Sequence, residues 1–147
     1  MNSIKNNLEL TGYVTVRRFG GYALPVPIQN RLLKTYCEEH NFSYTLPLCE
    51  LYLPNNYMAL HKTIDKCPES SNIGMCSIYM FPSEIEKFLS LKTKIDKKEL
   101  LFHFIFENRV VKSDKLEEFF HDSRLRYMFN NNDQYVGSLE DIFLTND

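Results

Sequence analysis

Leu8 to Gly21 read LELTGYVTVRRFGG, and the order of residue types in that stretch decides the fold. Apolar and polar residues alternate and Val14, Thr15 and Val16 are β-branched, which predicts a strand over about 10–17. Two cations, Arg17 and Arg18, and two glycines, Gly20 and Gly21, follow at once. An arginine fork beside backbone that only glycine adopts freely suits a bound phosphate or carboxylate. Ion pairing of either arginine with a nearby carboxylate is the structural alternative.

Outward from this stretch, strand-like runs recur at about 43–50, 72–81 and 100–106, with helical patterns between them. That alternation predicts a parallel sheet with crossover helices. Pro27 near a first turn and an apolar stripe of Ile28, Leu32, Leu33 and Tyr36 predict a first helix ending near His40-Asn41. Tyr57, Leu60, His61 and Ile64 have the spacing of a second helix, stopped by Pro68. Ser83 and Glu86 form a capping pattern for a third, with Ile85, Phe88 and Leu89 inward. A fourth, SDKLEEFF, would turn Leu116, Phe119 and Phe120 inward. Beyond it come an Asn-rich loop at 130–132 and a short amphipathic piece bearing Leu139, Ile142 and Phe143. The expected architecture is a three-layer α/β open sheet, mainly parallel, with four core strands. It forms one domain over 1–147, with 122–147 as a C-terminal helical extension.

Composition narrows the function classes. A chain of 147 residues with 44% hydrophobic and 14% aromatic content can bury one core. The start lacks the apolar core of a signal peptide and no run is long enough to span a membrane, so a cytoplasmic protein is expected. A net charge of −2 offers no basic surface for duplex DNA. Cys37, Cys49, Cys67 and Cys76 form no C-x-x-C pair and are expected as free buried thiols. No nucleotide-binding glycine fingerprint, HExxH or Asp cluster occurs, so neither a cofactor nor a metal is expected.

Right-handed crossovers put all the strand carboxyl ends on one edge, where open α/β sheets bind ligands. That edge would collect Arg17 and Arg18, then Glu50 and Asn55, then Ser77, Tyr79 and Ser83, then Glu107 and Asn108. Glu50 or Glu107 in a partly dry cleft could transfer protons, or could hold the arginines. His61 and His103 sit on apolar patterns and are read as satisfied core histidines.

Gly12-Tyr13, Val26-Pro27, Gln29-Asn30, Tyr36-Cys37, Glu50, Tyr57-Met58, SIYMFP at 77–82 and FEN at 106–108 together resemble the sporadic carbohydrate cluster protein family over about 12–120. Its members are small proteins encoded in bacterial gene clusters for surface polysaccharide and lipopolysaccharide. The resemblance implies a protein of that pathway that binds or modifies an anionic sugar: a sugar phosphate, nucleotide sugar or acidic sugar. Arg17 and Arg18 would hold the anion, Gln29, Asn55, Tyr79 and Asn108 would hydrogen-bond it, and Glu50 or Glu107 would act as acid/base. An adaptor docking on a glycan-pathway enzyme through the aromatic tail is the other class of reading, and a homodimer is expected because that tail needs a surface to cover. The chain is also similar, more faintly, to the catalytic domain of serine recombinases, in the order strand, Arg, glutamine-bearing helix, strand ending in Glu, helix. No serine follows Arg17-Arg18 and no basic DNA-binding appendage is present, so this likeness implies a resolvase-like or flavodoxin-like fold and no nucleic-acid partner.

Overall fold

In a computed structural model of the chain, which describes residues 8–21, 23–50 and 57–133, the alternating run at the chain start becomes β1 (Leu8–Gly12) and β2 (Val14–Thr15). The remaining elements follow as α1 (Val26–His40), β3 (Phe42–Thr45), β4 (Cys49–Glu50), α2 (Met58–Lys66), β5 (Asn72–Met75), α3 (Ile85–Lys98), β6 (Leu101–Phe104), β7 (Arg109–Lys112) and α4 (Ser113–Asp133). The main sheet has five strands in the order β3-β1-β5-β6-β7, parallel except for the β6-β7 hairpin, and β2 pairs with β4 in a second, two-stranded parallel sheet.

The α/β reading is borne out, and the departures have local causes. Two expected strands each split: Tyr13 turns its N–H to Gly74 O at 2.9 Å, and Pro47, which has no N–H to donate, lies between β3 and β4. The run 72–81 stops at Met75. Ser77 Oγ accepts from Tyr79 N and a Glu107 oxygen from Ile78 N, and these bonds wind Ile78–Met80 into a 3₁₀ turn. Strand β7 returns antiparallel to β6 through a turn in which Asn108 takes φ of 52° and donates to Ile105 O.

Helix α1 ends where expected, with Asn41 in the left-handed conformation. Its buried side is Gln29, Leu33 and Cys37, one step round from the anticipated stripe, while Ile28 faces solvent. The Ser83–Glu86 capping pair does not form. Helix α3 starts at Ile85 behind Glu84, and buries Phe88, Leu91 and Ile95 while Ile85 and Leu89 are exposed. Leu116, Phe119 and Phe120 of α4 point inward as expected. The Asn-rich segment is helical rather than a loop, because a long helix already nucleated adds residues at little cost. The 139–143 piece lies outside the described residues.

Alternation along the strands divides the core into two layers. Gly12 and Gly74 let Leu33 of α1 approach one face: a Cβ on either would come within 3.1 Å of that side chain. Ile73, Met75, Phe102 and Phe104 fill the other side with Leu60 and Ile64 of α2, Phe88 of α3 and Phe120 of α4. Phe88 and Phe120 stack with centroids 3.8 Å apart, joining α3 to α4. Burial on this scale is the main source of stability, at about 25 cal/mol per Å² of apolar surface. All four cysteines are free; Cys37, Cys67 and Cys76 are buried, whereas Cys49 is exposed. Among the described residues no helix is long and apolar enough to cross a membrane.

Candidate anion-binding site

Strand order fixes where a crevice can form. From β1 the chain crosses by α1 to β3 on one side, and from β5 by α3 to β6 on the other. The sheet therefore reverses its winding between β1 and β5, and ligands of open α/β sheets bind outside the strand carboxyl ends at such a reversal. A cavity of about 560 Å³ lies there. Its walls are Arg17 to Gly21 after β2, Tyr57 before α2, Tyr79, Phe81 and Ser83 after β5, and Arg124, Tyr127 and Met128 from α4.

The opening stretch forms one wall because its backbone turns sharply. Gly20 and Gly21 take φ of 56° and 81°, and a Cβ on Gly20 would sit 2.8 Å from the Tyr79 ring. Phe19, buried in the core, anchors the turn from behind. Arg17 is half-buried: its Nη2 donates to the Tyr13 hydroxyl at 3.1 Å and to Met80 O at 3.3 Å, and its Cζ lies 4.1 Å from the centre of the Tyr57 ring. Arg18 beside it is exposed. Neither arginine is within ion-pair reach of Glu50 or Glu107, so the ion pairs considered as the structural alternative are not formed.

The two carboxylates instead hold backbone. Glu50, 1% exposed, accepts at Oε2 from Ala59 N at 2.7 Å and Leu60 N at 3.2 Å, satisfying free donors of the first turn of α2. A negative group at a helix N-terminus is favourable. Its Oε1 is buried with no hydrogen-bond partner. Burial raises the Glu50 carboxyl above its ordinary value, against the Ala59 N–H, the Arg17 charge, the Leu60 N–H and the Tyr13 hydroxyl, which lower it. Glu107 accepts from Ser77 Oγ at 2.8 Å and Ile78 N at 2.9 Å, fixing the turn that carries Tyr79. Neither carboxylate is among the residues lining the cavity.

Of the other expected site residues, Tyr79 lines the cavity, its hydroxyl donated to Ser123 O at 2.7 Å and its ring 5.2 Å from that of Tyr127. Gln29 is wholly buried. Its amide donates to Thr15 O and Leu24 O, both at 2.7 Å, and accepts from Thr15 N at 3.1 Å, which clasps the two ends of the arginine loop. Asn108 is exposed in the β6-β7 turn and does not line the cavity. Asn55 lies outside the described residues. Sequence reasoning missed Arg124 and Tyr127. Their spacing of three along a helix puts them on one face, and that spacing was the available signal. Arg124 lies over the Phe120 ring, its Cζ 5.5 Å from the centroid.

Neither His61 nor His103 lines the cavity. His103 is buried on β6 between the Tyr36 hydroxyl, 2.7 Å from Nδ1, and Asn72 Oδ1, 2.9 Å from Nε2. Burial and the His40 charge lower its pKa to about 4. His61 is half-buried rather than in the core, with Lys94 Nζ 3.2 Å from Nδ1. No group of three or more His, Cys, Asp or Glu among the described residues could hold a metal ion.

A reversal crevice beside a β1-to-α1 loop invites comparison with solved folds. The chain superposes on the N-terminal catalytic domain of TP901-1 integrase with a TM-score of 0.58 at 14% identity, covering 86% of this chain and 99% of that one. The fold is resolvase-like. At that identity the likeness carries the fold alone, and residues 13–25, which include the arginine loop, contain no serine. In sequence, no model of a known protein family and no curated protein matches the chain.

Proposed function

We propose that this protein binds an anionic sugar at the strand carboxyl ends, as a cytoplasmic component of bacterial surface carbohydrate biosynthesis. One observation carries the binding half of this reading: three arginines and no carboxylate line the cavity among the described residues, in a chain of net charge −2. Clustering of one sign in a concave, partly apolar site attracts and orients an opposite charge. The pathway half rests on the residues and short motifs quoted from the sequence alone, since no family model matches the chain. In this reading Arg18 and Arg124 hold the anion, Arg17 fixes the loop that carries Arg18 and adds its charge to the cavity, and the tyrosines pack against the remainder of the ligand. Glu50 and Glu107 support the walls by fixing α2 and the 3₁₀ turn. Strand exchange of the kind an integrase performs has no support from the loop, which lacks a serine nucleophile.

A thermal-shift screen tests the reading. Sugar phosphates, nucleotide sugars and uronic acids are compared with neutral sugars at equal concentration, since a ligand that binds only the folded state stabilises it by mass action. A rise with anionic members alone is expected, and no rise with any of them would refute the binding site.

A second reading has its own observation. Leu125, Met128 and Phe129 of α4 are exposed, at 54%, 36% and 43%, and apolar side chains so placed suit a protein contact, either self-association or docking on a glycan-pathway enzyme. Light scattering at micromolar concentration separates dimer from monomer.

A further inference from the structure

We infer that the cavity recognises the nucleoside diphosphate part of its ligand, so that the anionic sugar proposed above is presented as a nucleotide sugar. This rests on the proposed reading and narrows it. A guanidinium has donors only. Arginines therefore match phosphate oxygens, which only accept, and cannot receive the hydrogens of sugar hydroxyls. Sugar rings are ordinarily held by groups that accept as well as donate, yet no Asp, Glu, Asn or Gln lines the cavity among the described residues. The acceptors that do line it are the hydroxyls of Tyr57, Tyr79, Ser83 and Tyr127, and that of Tyr79 has its one hydrogen committed to Ser123 O, so it can accept but not donate.

The cations also stand on separate walls: Arg18 on the loop after β2 and Arg124 on α4. Separated cations suit two linked phosphates better than one. Flat apolar surface completes the pattern. The Tyr127 ring, at 49° to that of Tyr79 with centroids 5.2 Å apart, is not stacked face to face on it. A planar base can stack on such a surface whatever its identity. At about 560 Å³ the cavity falls within the range of roughly 300–1,000 Å³ usual for sites of drug-sized ligands.

The test is titration calorimetry on the full chain. Probes are UDP, GDP, ADP and CDP, then UDP-glucose, glucose 1-phosphate, glucuronic acid, inorganic phosphate and a single-stranded oligothymidylate. At least one nucleoside diphosphate is expected to bind at least tenfold more tightly than glucose 1-phosphate. Arg18→Gln and Arg124→Gln are each expected to weaken it by about tenfold or more, as for a lost charged hydrogen bond. Tyr127→Leu should weaken it by roughly 10- to 100-fold, as for a lost base stack, and leave phosphate binding unchanged. Urea midpoints accompany each variant, and exposed Arg18 supplies one whose folding is not in question. Glucose 1-phosphate or glucuronic acid binding as tightly as every nucleoside diphosphate would overturn this inference and leave the proposed function standing. Preference for the oligonucleotide would overturn it in favour of a single-strand site. Binding of no probe would overturn both.

Discussion

The Arg17 guanidinium lies 4.1 Å from the centroid of the Tyr57 ring, while its neighbour Arg18 is exposed at the cavity mouth. Adjacent in sequence, the two therefore have different roles. Arg17 ties the loop after β2 to the start of α2 and, through Met80 O, to the 3₁₀ turn. Replacing it with Gln removes a partly shielded cation–π contact and charged hydrogen bonds, and should cost about 2 kcal/mol. Arg18→Gln should change stability by no more than about 0.5 kcal/mol while weakening anion binding. Urea melts of the two variants decide this, and equal losses would contradict the division.

Glu50 should make the protein lose stability as pH rises. Its carboxyl is raised above 4.5 in the folded state, first by burial, so the folded chain holds a proton that the unfolded chain has released. Stability falls wherever the folded state binds more protons. The decline begins near pH 4.5 and continues up to the raised value. Glu50→Gln, which still presents an oxygen to Ala59 N and Leu60 N, should flatten this slope and leave α2 intact. Glu50→Ala removes the acceptor and should cost about 0.5–2 kcal/mol for the lost cap, with more for the space left behind. Melts between pH 4.5 and 8 give both quantities, and an unchanged slope in Glu50→Gln would remove Glu50 as its source.

What was legible in the sequence had local causes. Pro27 and the periodic Leu33 and Tyr36 marked α1, and Leu116, Phe119 and Phe120 marked the buried side of α4, because helical spacing is written in the chain itself. The Gly20-Gly21 turn was legible because few other residues adopt its angles. Partners distant in sequence were not. Gln29 looked free to meet a ligand, yet its amide matches main-chain groups of Thr15 and Leu24, which only the closed fold brings together. Glu50 and Glu107 were placed at the right edge and read as acid/base groups or, alternatively, as arginine partners, whereas backbone N–H groups hold them. Arg124 and Tyr127 were given no role from the sequence. Only the approach of α4 to Tyr79 makes them part of a cavity wall.

His103 should be neutral and hold one tautomer. Asn72 Oδ1 can only accept, so Nε2 carries the hydrogen and Nδ1 receives the Tyr36 hydroxyl. The depressed pKa of about 4 means that the unfolded chain binds a proton first as pH falls from 6.5, so this residue's contribution is lost between pH 6.5 and about 4. That sign is opposite to Glu50. Nitrogen NMR of the imidazole should show the Nε2–H form at neutral pH and no titration above about pH 5. A midpoint near 6.5 would show that the ring is open to water.

The two glycines should respond differently to the same substitution. Both have positive φ, 56° at Gly20 and 81° at Gly21, so an alanine at either is strained by about 1–2 kcal/mol. Their surroundings differ. A Cβ at Gly20 would meet Tyr79 Cδ2 at 2.8 Å, whereas at Gly21 the nearest atom among the described residues is the Tyr127 hydroxyl at 4.0 Å. Gly20→Ala must therefore displace a ring whose hydroxyl is tied to Ser123 O, loosening α4 and reshaping the cavity. Gly21→Ala should show backbone strain alone and keep the wall in place. The expected result is a larger loss of stability in Gly20→Ala, by about 1 kcal/mol or more as for other overpacked sites, with ligand affinity reduced in that variant and nearly unchanged in Gly21→Ala. Denaturant midpoints read beside a binding titration make the comparison. If both alanines lowered affinity equally, the Tyr79 ring would not be the feature that shapes the wall.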